Sequence, residues 1–271
     1  MMATLVWDEV GSRVYEAGVD RGVLYLSDGS GVPWNGLTAV TEANTNESSS
    51  VYYDGMKIND LVVVGDFSGT ISAITYPDEF LDFEGLALAR PGVLYTNQKP
   101  KVFNLCYRTK VGNDVDGLDA GYKIHILYNV IAIPSDKSYA TLDNDSNPSE
   151  FEWNITATPE EITGFRPTAH FIFDSRSLDP ILLEDIERML YGTETEDAEL
   201  MTLSELVAFI DGWYIIEIVD NEDGTWTANS YHDEYITVDI DGSFEITHSN
   251  AVYSDSDTYD ISDTLDSSDI T

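Results

Sequence analysis

The sequence predicts a mainly β fold with one well-punctuated helical region and a small β-rich unit towards its C-terminal end. Three observations lead there. Apolar and polar residues alternate with a period of two in several segments, and one stretch alone combines a helical stripe with both caps. Beyond Gly212, five short β-branched or aromatic runs are separated by turn formers.

Residues 1–20 are expected to form an N-terminal arm and 21–192 the main domain. Leu61 to Val64 and Gly69 to Tyr76 read as strands, bounded by Gly65, Asp66 and Tyr76-Pro77. Long loops are expected at about 42–50 and 86–121, the second too long for an idle connection. Tyr122 to Ile133 sets Ile124, Ile126, Tyr128 and Val130 against Lys123, His125 and Asn129. Phe151, Trp153, Ile155 and Ala157 alternate with Glu152, Asn154 and Thr156, which describes a half-buried strand. Thr168 to Asp174 makes a third such segment.

The helix starts at Asp179-Pro180, a capping residue followed by a proline whose missing N–H costs nothing at the first helical position. Leu182, Ile186, Met189 and Leu190 supply the apolar stripe, Arg188 falls late, and Gly192 supplies the stop. Residues 193–212 read as a linker with a short helix from Thr202 to Ile210, where Thr202 and Glu205 stand at capping-box spacing. Residues 213–271 read as a β-rich annex with strands at Trp213–Val219, Thr225–Tyr231, Tyr235–Ile240, Ser243–Thr247 and Val252–Ile261. Asp241-Gly242 is a strong hairpin signal, and Asp263 to Thr271 are expected to be loose.

Charge narrows the function. The 271 residues hold 50 acidic against 13 basic side chains, a formal net charge of −37. Every basic residue lies at or before Arg188, and 21 of the acids follow it. Such a chain lacks the basic footprint needed to grip nucleic acid or anionic lipid. Acidity of this kind suits a salt-rich habitat, where a Debye length of about 3 Å at 1 M screens self-repulsion, or a surface that must not stick to a polyanion. Hydrophobic residues at 42% argue against disorder. No signal peptide and no run long enough to span a membrane are evident, so a soluble product is expected. The lone Cys106 sits in the apolar run Val102–Tyr107 and reads as a buried, inert thiol.

Catalytic patterns are missing. Neither phosphate loop nor G-x-S-x-G occurs, and the four histidines, His125, His170, His232 and His248, offer no i, i+4 pair and no cysteine partners. No catalytic residue, cofactor or metal set is therefore expected, and His125 and His170 read as structural or interfacial. Asp114, Asp116 and Asp119, and separately Asp143, Asp145 and Asn147, look like calcium-loop fragments. Both fail the EF-hand pattern, which would put glycine and glutamate where Pro148 and Asn154, or Asp119 and His125, stand. Sequons occur at Asn46, Asn144 and Asn154.

Particular blocks carry more than composition. The run from Val10 to Tyr25 (VGSRVYEAGVDRGVLY), followed by Gly31 to Val40 (GVPWNGLTAV), resembles the opening of major tail-tube proteins of long-tailed, siphovirus-type double-stranded DNA viruses, those of actinobacterial phages and haloarchaeal tailed viruses above all. Tyr76 to Phe80 (YPDEF), Gly121 to Tyr128 (GYKIHILY), Pro134 to Tyr139 (PSDKSY) and Arg166 to Asp174 (RPTAHFIFD) are similar to later blocks of that family. The Leu178 to Gly192 helix falls where the family's helix falls, and Asp220 to Ala228 (DNEDGTWTA) resembles a C-terminal extension of some members.

The resemblance implies a two-sheet antiparallel β-sandwich of the tail-tube type with one flanking α-helix; a short second helix and a β-rich annex on the tube exterior are expected beside it. It implies six copies closing into a ring, and rings stacking into a conduit for the genome. The partners implied are further copies of the chain and the tape-measure, tail terminator and distal tail proteins. DNA would pass without specific binding, and no membrane is involved. Assembly in the host cytoplasm into a virion tail follows from the same likeness. Face alternation offers Glu152, Asn154 and Thr156 as lumen-facing, or as ordinary outer surface. Two other readings stand beside this one. The first is a β-rich adhesin, binding carbohydrate or calcium-dependent, with Trp213, Trp226 and Tyr231 as its platform. The second is an acidic halophilic glycosidase, because carboxylates are too abundant to exclude a catalytic pair by counting.

Overall fold

A computed structural model describes residues 7, 9–43, 45–63, 65–139, 141, 149–213, 216–220, 226–230, 235–238, 244–247 and 252–253. The chain divides into two compact units, Met1–Leu203 and Ser204–Thr271. The first contains β1 (Tyr15–Tyr25), β2 (Gly31–Pro33), β3 (Leu37–Ala43), β4 (Glu47–Tyr53), β5 (Met56–Val63) and β6 (Ser68–Ala73). After a 3-10 turn at Asp78–Asp82 come β7 (Ala87–Arg90), β8 (Val93–Tyr95), β9 (Phe103–Asn113), β10 (Gly117–Pro134), β11 (Phe151–Ala157), β12 (His170–Asp174) and helix α1 (Pro180–Tyr191). Helix α2 (Leu203–Trp213) begins at the boundary between the units. The second unit is an antiparallel meander of β13 (Ile216–Asp220), β14 (Trp226–Ser230), β15 (Tyr235–Val238), β16 (Phe244–Thr247) and β17 (Val252–Tyr253), paired in chain order.

The mainly β, antiparallel architecture expected from the sequence is what the chain adopts, and its two layers are joined. Strands run β2-β1-β9-β10-β11-β6-β3 in one hydrogen-bonded sheet, with β12 also on β10. Strand β10 makes this work by changing partners along its length. Its Lys123–Leu127 segment pairs with β12 and its Val130–Pro134 segment with β11. Between them the register against β9 slips, and Asn129 takes a left-handed φ of 54°, as at a bulge that bends a strand. The sheet thereby folds into two leaves that face each other. Leu24, Leu105 and Tyr107 from one leaf share a core with Ile71, Ala73, Trp153, Ile155 and Ala157 from the other.

Alternation decides which side chains fill that core. Along β11 Trp153, Ile155 and Ala157 are buried, and Glu152, Asn154 and Thr156 are exposed. Trp153 stands among Phe80 at 5.2 Å and Tyr76 at 5.3 Å in edge-on contacts, the geometry aromatic quadrupoles favour. Strand β9 is buried on both faces from Leu105 to Tyr107. The face carrying Tyr25, Cys106 and Ile126 lies under α1, which buries Leu182, Ile186 and Leu190, and the Tyr25 hydroxyl donates to the Leu190 carbonyl at 2.6 Å. The expected caps hold α1. Asp179 Oδ1 accepts from the Ile181 and Leu182 N–H groups, and Gly192 closes the helix.

Four expectations need correction. The 86–121 loop is instead the β7–β8 hairpin, all of β9 and the start of β10. The 42–50 loop is mostly the end of β3 and the start of β4, whose serines pair with β5. Residues 15–20 belong to β1, where Tyr15 to Asp20 pair with β9, and not to a free arm. Helix α2 continues through Asp211-Gly212 to Trp213, so Trp213 ends a helix and starts no strand. Among the described residues, no helix is long and apolar enough to cross a membrane.

Candidate functional site

Two hairpins stand apart from the sandwich core. The β4–β5 pair is inserted between β3 and β6, which pair with each other, so the hairpin extends that end of the leaf. Seven residues of β4 at about 3.3 Å each reach about 23 Å. Its root is laced: Thr45 Oγ1 donates to the Asp66 carbonyl at 2.6 Å, and Asn46 Oδ1 accepts from the Gly65 N–H at 3.2 Å. Its tip has no core behind it, and Tyr53, Met56 and Ile58 are 68%, 71% and 64% exposed. The β7–β8 hairpin likewise exposes Leu88, Val93, Leu94 and Tyr95 around a Pro91-Gly92 turn where Gly92 has φ 78°. Two-stranded ribbons of this kind are marginal alone in water. Exposed apolar side chains grouped on them are candidate interaction surfaces.

A different surface is formed by the outward side of the β3-β6-β11 leaf. Register places Thr41, Thr70 and Asn154 side by side, then Ala39, Ser72 and Glu152, and then Ala43, Ser68 and Thr156. Ile131 and Ile133 of β10 continue it, opposite Thr156 and Asn154. Small hydroxyl and amide groups dominate these positions, and Glu152 is the one charged side chain among them. Ser135 Oγ donates to Glu152 Oε1 at 3.2 Å and accepts from Asn154 Nδ2 at 3.3 Å, which steadies both side chains.

Elsewhere the basic residues are matched locally. Arg21, Lys57, Lys101, Arg108, Lys110, Lys123, Lys137, Arg176 and Arg188 all pair with carboxylates. Arg108 grips Asp20 in a fork at 2.7 and 2.8 Å, and that hydrogen bonding holds the Asp20 carboxyl below its usual range. Lys137 reaches the buried Glu84 at 2.8 Å, where the Trp153 indole N–H also donates to Glu84 Oε2 at 3.0 Å. Burial pushes the Cys106 thiol up to about 12, as suits an inert sulfur.

The calcium-like acids do not converge. Asp114 Oδ1 is taken by the Gly11 N–H at 2.8 Å and Asp116 by the Asn113 amide at 2.9 Å, in the turn between β9 and β10. Asp143, Asp145 and Asn147 lie outside the described residues, as do His232, His248 and Tyr231 of the adhesin platform.

Two histidines that sequence spacing keeps apart are brought together by strand register. His125 of β10 and His170 of β12 meet with Nδ1 and Nε2 3.1 Å apart, and Glu42 Oε1 lies 3.4 Å from His125 Nδ1. One ligand atom from each of the three residues falls within 4.8 Å of the other two. Tyr107 stacks on His125 at 4.6 Å and donates its hydroxyl to Glu42 at 2.6 Å. Thr109 Oγ1 stands 3.0 Å from His125 Nε2. Burial, and next the neighbouring His170, hold His125 down to about 4, and burial lowers His170 as well. Burial thus favours the neutral imidazole at both histidines. The reading of both as structural or interfacial rested on spacing along the chain, which is blind to neighbours joined across strands.

No protein-family profile matches the chain, and no curated protein matches it. Solved structures with a local likeness include a chain of the sheath–tube complex of an extracellular contractile injection system in its extended state. It is 15% identical, covers 57% of this chain and 88% of that one, and has a TM-score of 0.29. A chain of the tube-terminating cap of the anti-feeding prophage is 13% identical over 64% of this chain and 96% of its own, at 0.30. One from the baseplate of that particle is 12% identical over 64% and 97%, at 0.29. TM-scores of this size describe a partial likeness of shape.

Proposed function

We propose that this chain is a non-catalytic structural subunit that assembles with copies of itself into the tail tube of a long-tailed virus. Six copies would close a ring, and rings would stack into the conduit through which genome DNA leaves. The observation that carries the proposal is the pair of coreless hairpins, β4–β5 and β7–β8, rooted in a rigid sandwich and bearing exposed apolar side chains. The sequence blocks that resemble tail-tube proteins supply the kind of assembly. Ring closure also suits a sheet whose edge strand β3 would otherwise stay open.

The outward β3-β6-β11 face is the proposed lumen lining, with Glu152, Asn154 and Thr156 in it. Duplex DNA carries a charge every ~1.7 Å, so even sparse basic residues would add up along stacked rings, and a hydroxyl-rich face with one carboxylate lets the duplex slide. The β-rich annex is proposed to decorate the tube exterior. Tape-measure, terminator and distal tail proteins are the proposed partners, and assembly is placed in the host cytoplasm. Light scattering on the purified chain at rising concentration tests the reading. Growth of the particle mass to six protomers and multiples of six is expected, and a monomer that persists at high concentration and high salt would sink it.

A further inference from the structure

We propose that Glu42, His125 and His170 form a binding site for one divalent transition-metal ion of the zinc class, linking strand β3 to strands β10 and β12. The argument starts from distances. Metal–nitrogen and metal–oxygen bonds of about 2.0–2.2 Å at tetrahedral angles set neighbouring ligand atoms about 3.3–3.6 Å apart. Two of the three separations are already 3.1 and 3.4 Å, and all three ligand atoms lie within 4.8 Å of one another. Glu42 is the solvent-reached member, its side chain 42% exposed, so its carboxylate can close the remaining gap and the ion has a way in.

Chemistry selects the class of ion. Two imidazole nitrogens and a single carboxylate suit zinc, cobalt or nickel, whereas calcium and magnesium take mostly oxygen ligands. The supporting partners fit the same role. In the tautomer that ligation by Nδ1 requires, His125 Nε2–H would donate to Thr109 Oγ1, 3.0 Å away, and the Tyr107 hydroxyl orients the carboxylate. Three protein ligands leave a fourth position for water, and with the chain's three strands tied through one ion, bound metal stabilises the folded state by mass action.

The test uses the full chain, stripped with chelator and titrated with zinc chloride in concentrated potassium chloride. Calorimetry is expected to give one zinc per chain, with a rise in Tm that chelator reverses and that magnesium at the same concentration does not produce. Glu42→Gln and His170→Gln are each expected to weaken zinc binding at least tenfold. Cobalt in place of zinc should give visible d–d absorption that Glu42→Gln abolishes, a readout available even if the histidine variant folds poorly. Absence of saturation at one ion per chain, equal stabilisation by magnesium, or unchanged binding and cobalt spectrum in Glu42→Gln would each overturn the proposal.

Discussion

Single residues set much of the stability of this sandwich through close approaches and buried polar groups. A Cβ at Gly69 would sit 2.3 Å from the Thr41 carbonyl oxygen of the paired strand, a backbone atom and not the end of a flexible side chain. Gly69→Ala is therefore expected to cost about 1–3 kcal/mol, measured by chemical denaturation. The buried Glu84 depends on Lys137 and the Trp153 indole, so Lys137→Met, which strands a carboxylate, should destabilise more than Glu84→Gln, which removes the charge itself. Equal losses in the two variants would show that the pair contributes little. His125 gives a pH signature. Its folded value of about 4 lies below the ordinary 6.5, so the unfolded chain takes up the proton first as pH falls. The stability that neutral His125 contributes is complete above pH 6.5 and drains away between 6.5 and about 4. With chelator present, the wild-type Tm should fall more steeply across that window than the Tm of His125→Gln, and parallel curves would contradict this account. No reading of the sequence could pair His125 with His170, because they lie on different strands and meet only through the register of β10 with β12.

Elements differ in how plainly the sequence announces them. Strand β11 matches its expected Phe151–Ala157 span because one face is dry and the other wet, which writes a period of two into the residues. Helix α1 is legible from its caps, Asp179 and Gly192, and its stripe. Strand β9 is hidden for the opposite reason. With α1 on one side and the second leaf on the other, Leu105–Tyr107 is buried on both faces and shows no alternation, so the apolar run around Cys106 reads as part of a loop. Only the Leu61–Val63 end of the β4–β5 hairpin is legible as strand, because neither side of its Tyr53–Asp60 tip is buried. That same exposure makes it testable. Tyr53→Asp combined with Ile58→Asp should leave the far-ultraviolet spectrum and Tm nearly unchanged, within about 0.5 kcal/mol for exposed positions, and should abolish assembly in sedimentation. The lining face is tested by Asn154→Lys, which adds one cation per protomer. Tubes of this variant are expected to retain duplex DNA in a salt-sensitive way, whereas wild-type tubes release it.

At the scale of the whole molecule, an excess of 50 acids over 13 basic residues has to be tolerated by an assembly that multiplies it. Local pairing neutralises most of the basic side chains, so the surplus acid faces solvent, and salt is what relieves its self-repulsion. Tm and assembly should both rise with potassium chloride towards molar concentrations, and a flat response would separate the acidity from any saline habitat. The C-terminal β-rich unit carries acid and no basic residue, and is proposed to stand outside the tube wall; deletion of residues 212–271 is expected to leave tubes intact, and loss of assembly would make this unit part of the wall. The most direct test of the central claim is cryo-electron microscopy of the purified full chain at high salt. Hollow tubes of stacked six-membered rings are expected, with the β4–β5 and β7–β8 hairpins buried between protomers and Glu152, Asn154 and Thr156 facing the channel. Isolated monomers at high concentration, or tubes whose hairpins stay free in solvent, would contradict it.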